Sequence, residues 1–228
     1  MSGDARWRAA LRALDRSAWP AFLDEHSGLP GPRANTALAA AFATAADIAQ
    51  VDELLTSGDE YRTMCAAAAL GFRADEPATA ARARSLAADG RWRVREGVAM
   101  GLQLLGDDAP GSLVTLARTW AQDADPLVQR AAVAAVCEPR LLRTAAAAAA
   151  ALAVCAQLTD RLVAVPAARR RDPALRTLRQ ALGYCWSVAV AADPTAGLPV
   201  FRALDASDPD VGWIVRENLR KKRLAALL

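Results

Sequence analysis

The chain is short of aromatics, nearly devoid of histidine and lysine, and lacks the residue runs that make strands. Phe, Trp and Tyr supply 5% of its 228 residues. No segment combines β-branched and aromatic residues as a strand requires, so an all-α fold is expected. One histidine, His26, is present. It has no Ser, Cys or carboxylate constellation around it, which argues for a capping or solvent role. No G-x-G-x-x-G, P-loop or H-E-x-x-H occurs, so nucleotide-driven chemistry and zinc hydrolysis have no support. The four cysteines, Cys65, Cys137, Cys155 and Cys185, are widely spaced on apolar helix faces without a C-x-x-C pair. Neither a metal site nor a disulfide framework is indicated, no cofactor is implied, and a reduced, cytoplasmic setting is expected. No uninterrupted apolar run reaches the roughly 18 residues a bilayer span needs, and the first residues carry no apolar signal region, so no membrane role is expected.

What is abundant is alanine, the best helix former and small enough to let helices approach closely. Hydrophobic residues make up 54% of the chain. The net charge is +3 and the pI about 8.9, with lysine only at positions 221 and 222, so the basic character is almost all arginine. That pI sits at the edge of what marks a nucleic-acid binder. Codon bias toward arginine and alanine accounts for most of it.

The strongest signal is an internal repeat. Similar amphipathic phrases run from Trp92 to Leu102, Pro126 to Val136, Ala174 to Tyr184 and Asp210 to Leu219, with earlier copies at Tyr61 to Gly71 and Arg33 to Phe42. Anchors at Arg33, Tyr61, Val94, Val128, Leu175 and Val211 step by 28, 33, 34, 47 and 36 residues. Helical self-similarity at this period predicts stacked helix pairs. The expected fold is therefore a right-handed α-α superhelix of about six pairs in one domain, with N-terminal capping helices over 1–30 and repeats over 31–228. The 47-residue step marks an enlarged fifth repeat around 142–192, with its loop at Pro166–Asp172. The final pair is expected to join Pro194–Leu204 to a helix running from Asp208 to Leu227.

Most repeats place an Asp before the second helix (Asp59, Asp89, Asp125, Asp172, Asp208) and an Arg soon after (Arg62, Arg95, Arg130, Arg176, Arg216). An Asp there caps the helix and suits its dipole. These phrases resemble HEAT repeats, a resemblance that implies an Asp/Arg ladder between neighbouring repeats.

One set of residues stands apart from the core stripes. Trp92 and Glu96 share a helix face displaced from Val94, Val98, Leu102 and Leu105. Arg95 lies beside them, Arg130 on the next second helix, Tyr184 on the following one, and Trp213 with Arg216 on the last. Stacked second helices would bring these onto one concave wall. A carboxylate, an Arg and aromatics on one wall suit a cationic or unstacked base. In this arrangement the chain resembles the bacterial HEAT-like-repeat alkylpurine DNA glycosylases of the DNA alkylation repair family. The resemblance implies Glu96 as the catalytic carboxylate and Trp92, Arg130 and Tyr184 as binding residues. The chain departs from that family in having Glu where one branch has Asp, Tyr where a Trp is usual, and an insertion in repeat five.

Two readings follow. In the first, the chain is a monomeric, non-enzymatic module that binds a protein or duplex DNA on its concave face through Trp92, Arg95, Arg130, Tyr184, Trp213 and Arg216. In the second, it is an alkylpurine glycosylase or an inactive relative. The runs Arg169–Arg171 and Arg220–Arg223 are candidate phosphate contacts or solvated surface.

Overall fold

The computed structural model describes residues 3–227. Among them there are only helices and connections, fourteen α-helices in all. Contacts divide the chain into two compact units that meet in sequence at Asp108 and Ala109. The first unit holds α1 (Gly3–Ala13), α2 (Trp19–Glu25), α3 (Thr36–Ala45), α4 (Ile48–Thr56), α5 (Glu60–Phe72), α6 (Pro77–Ala87) and α7 (Trp92–Asp108). The second holds α8 (Pro110–Trp120), α9 (Pro126–Val136), α10 (Ala145–Ala164), α11 (Pro173–Ala192), α12 (Pro194–Arg202), α13 (Pro209–Leu219) and α14 (Lys222–Ala225).

Helices pack in sequential pairs, and every second helix also packs beside its counterpart two elements away. In the first unit α1, α3, α5 and α7 form that row; in the second, α9, α11 and α13 do. Each core stripe is set by the helical period. On α7 it is Val94, Val98, Leu102 and Leu105, all buried.

The α5–α7 contact shows why the chain uses so much alanine and glycine. A Cβ built on Gly101 would stand 2.1 Å from the carbonyl oxygen of Ala68, and one on Gly97 would stand 2.4 Å from that of Met64. The two backbones therefore touch, across the buried run Ala66–Ala69. Larger residues at either position would hold the helices apart.

Helix starts follow the expected chemistry. Asp59 accepts from the Arg62 amide, Asp125 from Leu127, Asp172 from Ala174, and Asp208 from Asp210 and Val211. Asp89 accepts from the Arg91 amide just ahead of α7.

Three boundaries differ from expectation. The helix expected to begin at Arg33 begins at Thr36, because Asn35 is the better cap: its Oδ1 accepts from the Leu38 amide. The alanine-rich helix starts at Ala145 rather than near Leu142, because Pro139–Leu141 forms a 3₁₀ turn and Thr144 supplies the cap. The last helix is not continuous to Leu227. It ends at Leu219 and restarts as α14 after an extended Lys221. The break lets Leu224 reach the core.

One helix, α10, is long and apolar enough to cross a membrane by length and composition, with a mean hydropathy of 1.4. The count of uninterrupted apolar residues did not reveal it. Half of it is buried inside its unit, against α8, α9, α11 and α12.

Candidate functional site

Trp92, Arg95 and Glu96 belong to the first unit; Arg130, Tyr184, Trp213 and Arg216 belong to the second. In the first, α7 opens at Trp92, and that indole is 54% exposed. None of the other five tryptophans is exposed. The neighbouring Arg93 guanidinium lies 4.6 Å from the centre of the Trp92 ring. Its Nη1 donates to Glu60 Oε2 at 3.1 Å, which fixes it from the far side. Its Nε is buried without a hydrogen-bond partner, left against the ring system rather than in water. Glu96 follows one turn along α7, partly buried. The Arg95 side chain reaches back to the turn ahead of α7. Its Nη1 donates to the carbonyl oxygens of Asp89 at 2.6 Å and Gly90 at 3.0 Å, so it secures the turn that begins its own helix.

In the second unit Tyr184 is 43% exposed on α11. Arg223 lies 5.0 Å and Lys221 5.9 Å from its ring centre, and Arg223 Nη2 donates to the Tyr184 hydroxyl at 3.0 Å. Trp213 has a different task. Its ring packs on Gly183, where a Cβ would approach to 2.7 Å, and the Arg179 guanidinium covers it at 4.8 Å. Trp213 is thus partly enclosed between α11 and α13. Arg216 is exposed on α13, and Arg130 is partly buried on α9.

Several arginines link neighbouring repeats, one from the repeat phrase and others beside it. Arg62 makes a paired contact with Asp24, Nε donating to Oδ1 at 2.8 Å. Arg91 Nη1 reaches the Gly58 carbonyl oxygen at 3.0 Å. Arg93 takes Glu60, Arg179 takes Asp210, and Arg170 takes Asp208 at 2.6 Å while also donating to the carbonyls of Val163 and Val165. Only Arg62 among these carries the phrase position. Sequence reasoning missed Arg93 and Arg179; the signal was a cation adjacent to Trp92 and one four residues before Gly183. His26 sits in a ring cluster, 4.4 Å from Phe22 and 5.2 Å from Trp7.

The cysteines are brought together despite their spacing. Cys137 and Cys155 stand with sulfurs 3.6 Å apart, and Cys185 approaches the Val133 carbonyl oxygen at 3.7 Å. Cys137 and Cys185 are held above the ordinary thiol range by hydrogen bonding to neighbouring thiols and by burial, Cys155 chiefly by burial. Protonated, buried thiols are poor nucleophiles and poor metal ligands. Among the described residues no group of three metal-ligating side chains is spaced to hold an ion.

Open concavities lie within single units, two of them beside arginines of interest. One of about 520 Å³ in the first unit is rimmed by Arg8, Arg12 and Arg16, with Leu11 and Trp19 among its other lining residues. One of about 370 Å³ in the second is lined by Pro139, Leu142, Val188, Ala191, Ala192 and Arg223.

No family model and no curated protein matches the chain. Among solved structures, the crystal structure of an engineered protein, a structural-genomics target, is similar over 100% of this chain and 98% of that one, at 18% identity and a TM-score of 0.35.

Proposed function

We propose that the chain is a HEAT-like repeat module, not an enzyme, that binds a macromolecular partner through aromatic side chains braced by arginine. The observation that carries this is Trp92. A large indole is left in solvent in a chain that withdraws its other tryptophans, and its guanidinium neighbour is already fixed by Glu60. Trp, Tyr and Arg are the residues that dominate binding energy at interfaces, and a side chain held before binding loses less entropy on binding. Tyr184 with Arg223 repeats the arrangement in the second unit.

The test is quantitative capture on the tagged full chain beside its Trp92→Ala, Tyr184→Ala and double variants, with and without nuclease. A specific partner retained by the wild type should weaken by roughly 30-fold on losing a hot-spot residue, about 2 kcal/mol. Identical retention by the wild type and the double variant refutes the reading. Retention that nuclease abolishes assigns the partner to nucleic acid.

A second reading rests on the placement of Glu96 one turn from Trp92. As an alkylpurine DNA glycosylase, the chain would use that carboxylate to stabilise positive charge on the sugar as an alkylated, already cationic purine departs. Release of 7-methylguanine or 3-methyladenine from methylated DNA by the wild type, lost in Glu96→Gln, is the required result. No release by the wild type removes this reading.

A further inference from the structure

The second unit sets an apolar cavity directly beside the chain's densest positive charge, and Arg223 belongs to both. Arg223 lines the cavity of about 370 Å³ whose remaining walls are Pro139, Leu142, Val188, Ala191 and Ala192. That volume is at the lower end for sites that enclose organic groups, so it has room for apolar side chains rather than a whole cofactor. The same guanidinium is positioned by the Tyr184 ring and hydroxyl, and Lys221 lies over that ring too. The break between α13 and α14 is what delivers these cations here; a continuous helix would have distributed them around its circumference. Of the run Arg220–Arg223, Arg220 is paired with Glu217 at 3.0 Å, while among the described residues no ion pair engages Lys221, Lys222 or Arg223. Near the cavity's other wall, Glu138 is taken by Arg140 at 3.1 Å. On the α11 wall the nearest carboxylate in sequence, Asp193 beside Ala192, caps α12 through the Ala196 amide, and the three cations Lys221, Lys222 and Arg223 outnumber it.

We infer that this surface docks an acidic peptide segment of a partner protein, its carboxylates on Lys221, Lys222 and Arg223 and a large apolar side chain in the adjoining cavity. The inference rests on the binding-module reading and names the partner's chemistry at one end of it. The cavity walls decide between peptide and nucleic acid. Five of the six lining residues are apolar, and a sugar–phosphate backbone has nothing to fill such walls. A nucleobase would need an open ring to stack on, whereas Tyr184 already carries Arg223 and Lys221. An acidic, apolar peptide satisfies both halves: charge complementarity steers the encounter, and the buried anchor supplies residence.

The experiment uses fluorescence anisotropy on the full chain at two salt concentrations with three labelled probes. The first is a peptide of about a dozen residues made of glutamate around one leucine and one phenylalanine. The second has those two replaced by serine. The third is duplex DNA. The first peptide should bind at least tenfold more tightly than the second. Arg223→Glu should weaken it at least tenfold. Ala192→Trp, at an exposed position on the cavity wall, should reduce it to the affinity of the serine peptide while the far-ultraviolet spectrum stays unchanged. Equal affinity for the two peptides, no binding of either, no effect of Ala192→Trp, or tighter binding of duplex DNA than of the first peptide would each overturn the inference. If a captured partner is still lost on Trp92→Ala, such a failure removes this surface alone; if no partner is captured either, the module reading falls with it.

Discussion

Replacing Gly101 by alanine tests the close approach of α5 and α7. Helix propensity alone favours the change: alanine in a helix interior is better than glycine by about 0.8–1 kcal/mol. Packing opposes it. The new Cβ would lie 2.1 Å from the Ala68 carbonyl oxygen and 2.9 Å from the Gly71 Cα, both backbone atoms. An ordinary contact is about 3.5 Å, so no side-chain rotation relieves the clash; the helices must part by about 1 Å. Parting them loosens contacts along the alanine face of α5, where a gap of that size forfeits a quarter to a half of each pair's attraction. Overpacking a close-fitted core costs about 1–3 kcal/mol, and a clash of backbone on backbone belongs at the upper end. Net of the propensity gain, about 2 kcal/mol of destabilisation is expected. For a chain of 228 residues each kcal/mol moves the midpoint by about 2–4 °C, so Tm should fall by about 4–8 °C. Thermal melts followed by circular dichroism at 222 nm read this directly. The control is Gly111→Ala in α8, where a Cβ meets nothing within 4 Å; there only the propensity term acts, and stability should hold or rise. If Gly101→Ala melts at or above the wild-type temperature, the backbone contact between α5 and α7 is not as described.

Other perturbations follow from single sites. Asn218 is fully buried, donates to the Leu182 and Ile214 carbonyl oxygens and accepts from the Ser187 amide at 2.7 Å; Asn218→Leu strands those groups and should cost about 1–3 kcal/mol in urea unfolding. All four cysteines are buried, so a thiol reagent such as dithionitrobenzoate should label none in the native chain and all of them in denaturant, and rapid native labelling would contradict the packing of α9, α10 and α11. The Arg91 side chain holds the Asp89 carboxyl below its ordinary value, with burial opposing and the Arg91 amide assisting. A carboxyl depressed in the folded state stabilises fully above its unfolded value, about 3.9, and loses that contribution as pH falls through the lower folded value. Asp89→Asn should therefore be less stable than wild type at neutral pH, with the gap closing below about pH 4; a gap that persists in acid would sink this account.

The repeat was legible because it is written in local chemistry. An Asp ahead of an amphipathic stretch needs only its own next few residues to cap a helix, and Asp59, Asp125, Asp172 and Asp208 all do so. The stripe Val94, Val98, Leu102, Leu105 likewise depends only on helical period, and its complement correctly left Trp92 facing outward. What was not legible is whatever depends on a residue elsewhere in the chain. The packing of Trp213 on Gly183 joins two helices some distance apart in sequence. The reach of Arg95 to two carbonyl oxygens depends on how the turn behind it folds. The three cysteines of the second unit meet although nothing in their spacing suggests it.

The RKKR run shows how the two kinds of information combine. As sequence it is four cations, which most often means solvated surface. Its pattern alone predicts that α13 continues through it to Leu227. That Leu224 would bury itself once the helix broke was not legible, because the cavity it enters is built by other elements. Nor was it legible that the break would carry Lys221 and Arg223 to the ring of Tyr184, across a sequence separation of about forty residues. The consequence is specific. If the break is what makes the surface, then restoring the helix should unmake it even with Arg223 in place. Lys221→Ala with Lys222→Ala favours helix continuation through the propensity of alanine, and should detach Arg223 from Tyr184 and weaken the acidic peptide more than the same loss of two lysine charges does in the matched Lys221→Gln, Lys222→Gln variant. Equal weakening in the two double variants would mean that charge alone, not the geometry of the break, creates the surface.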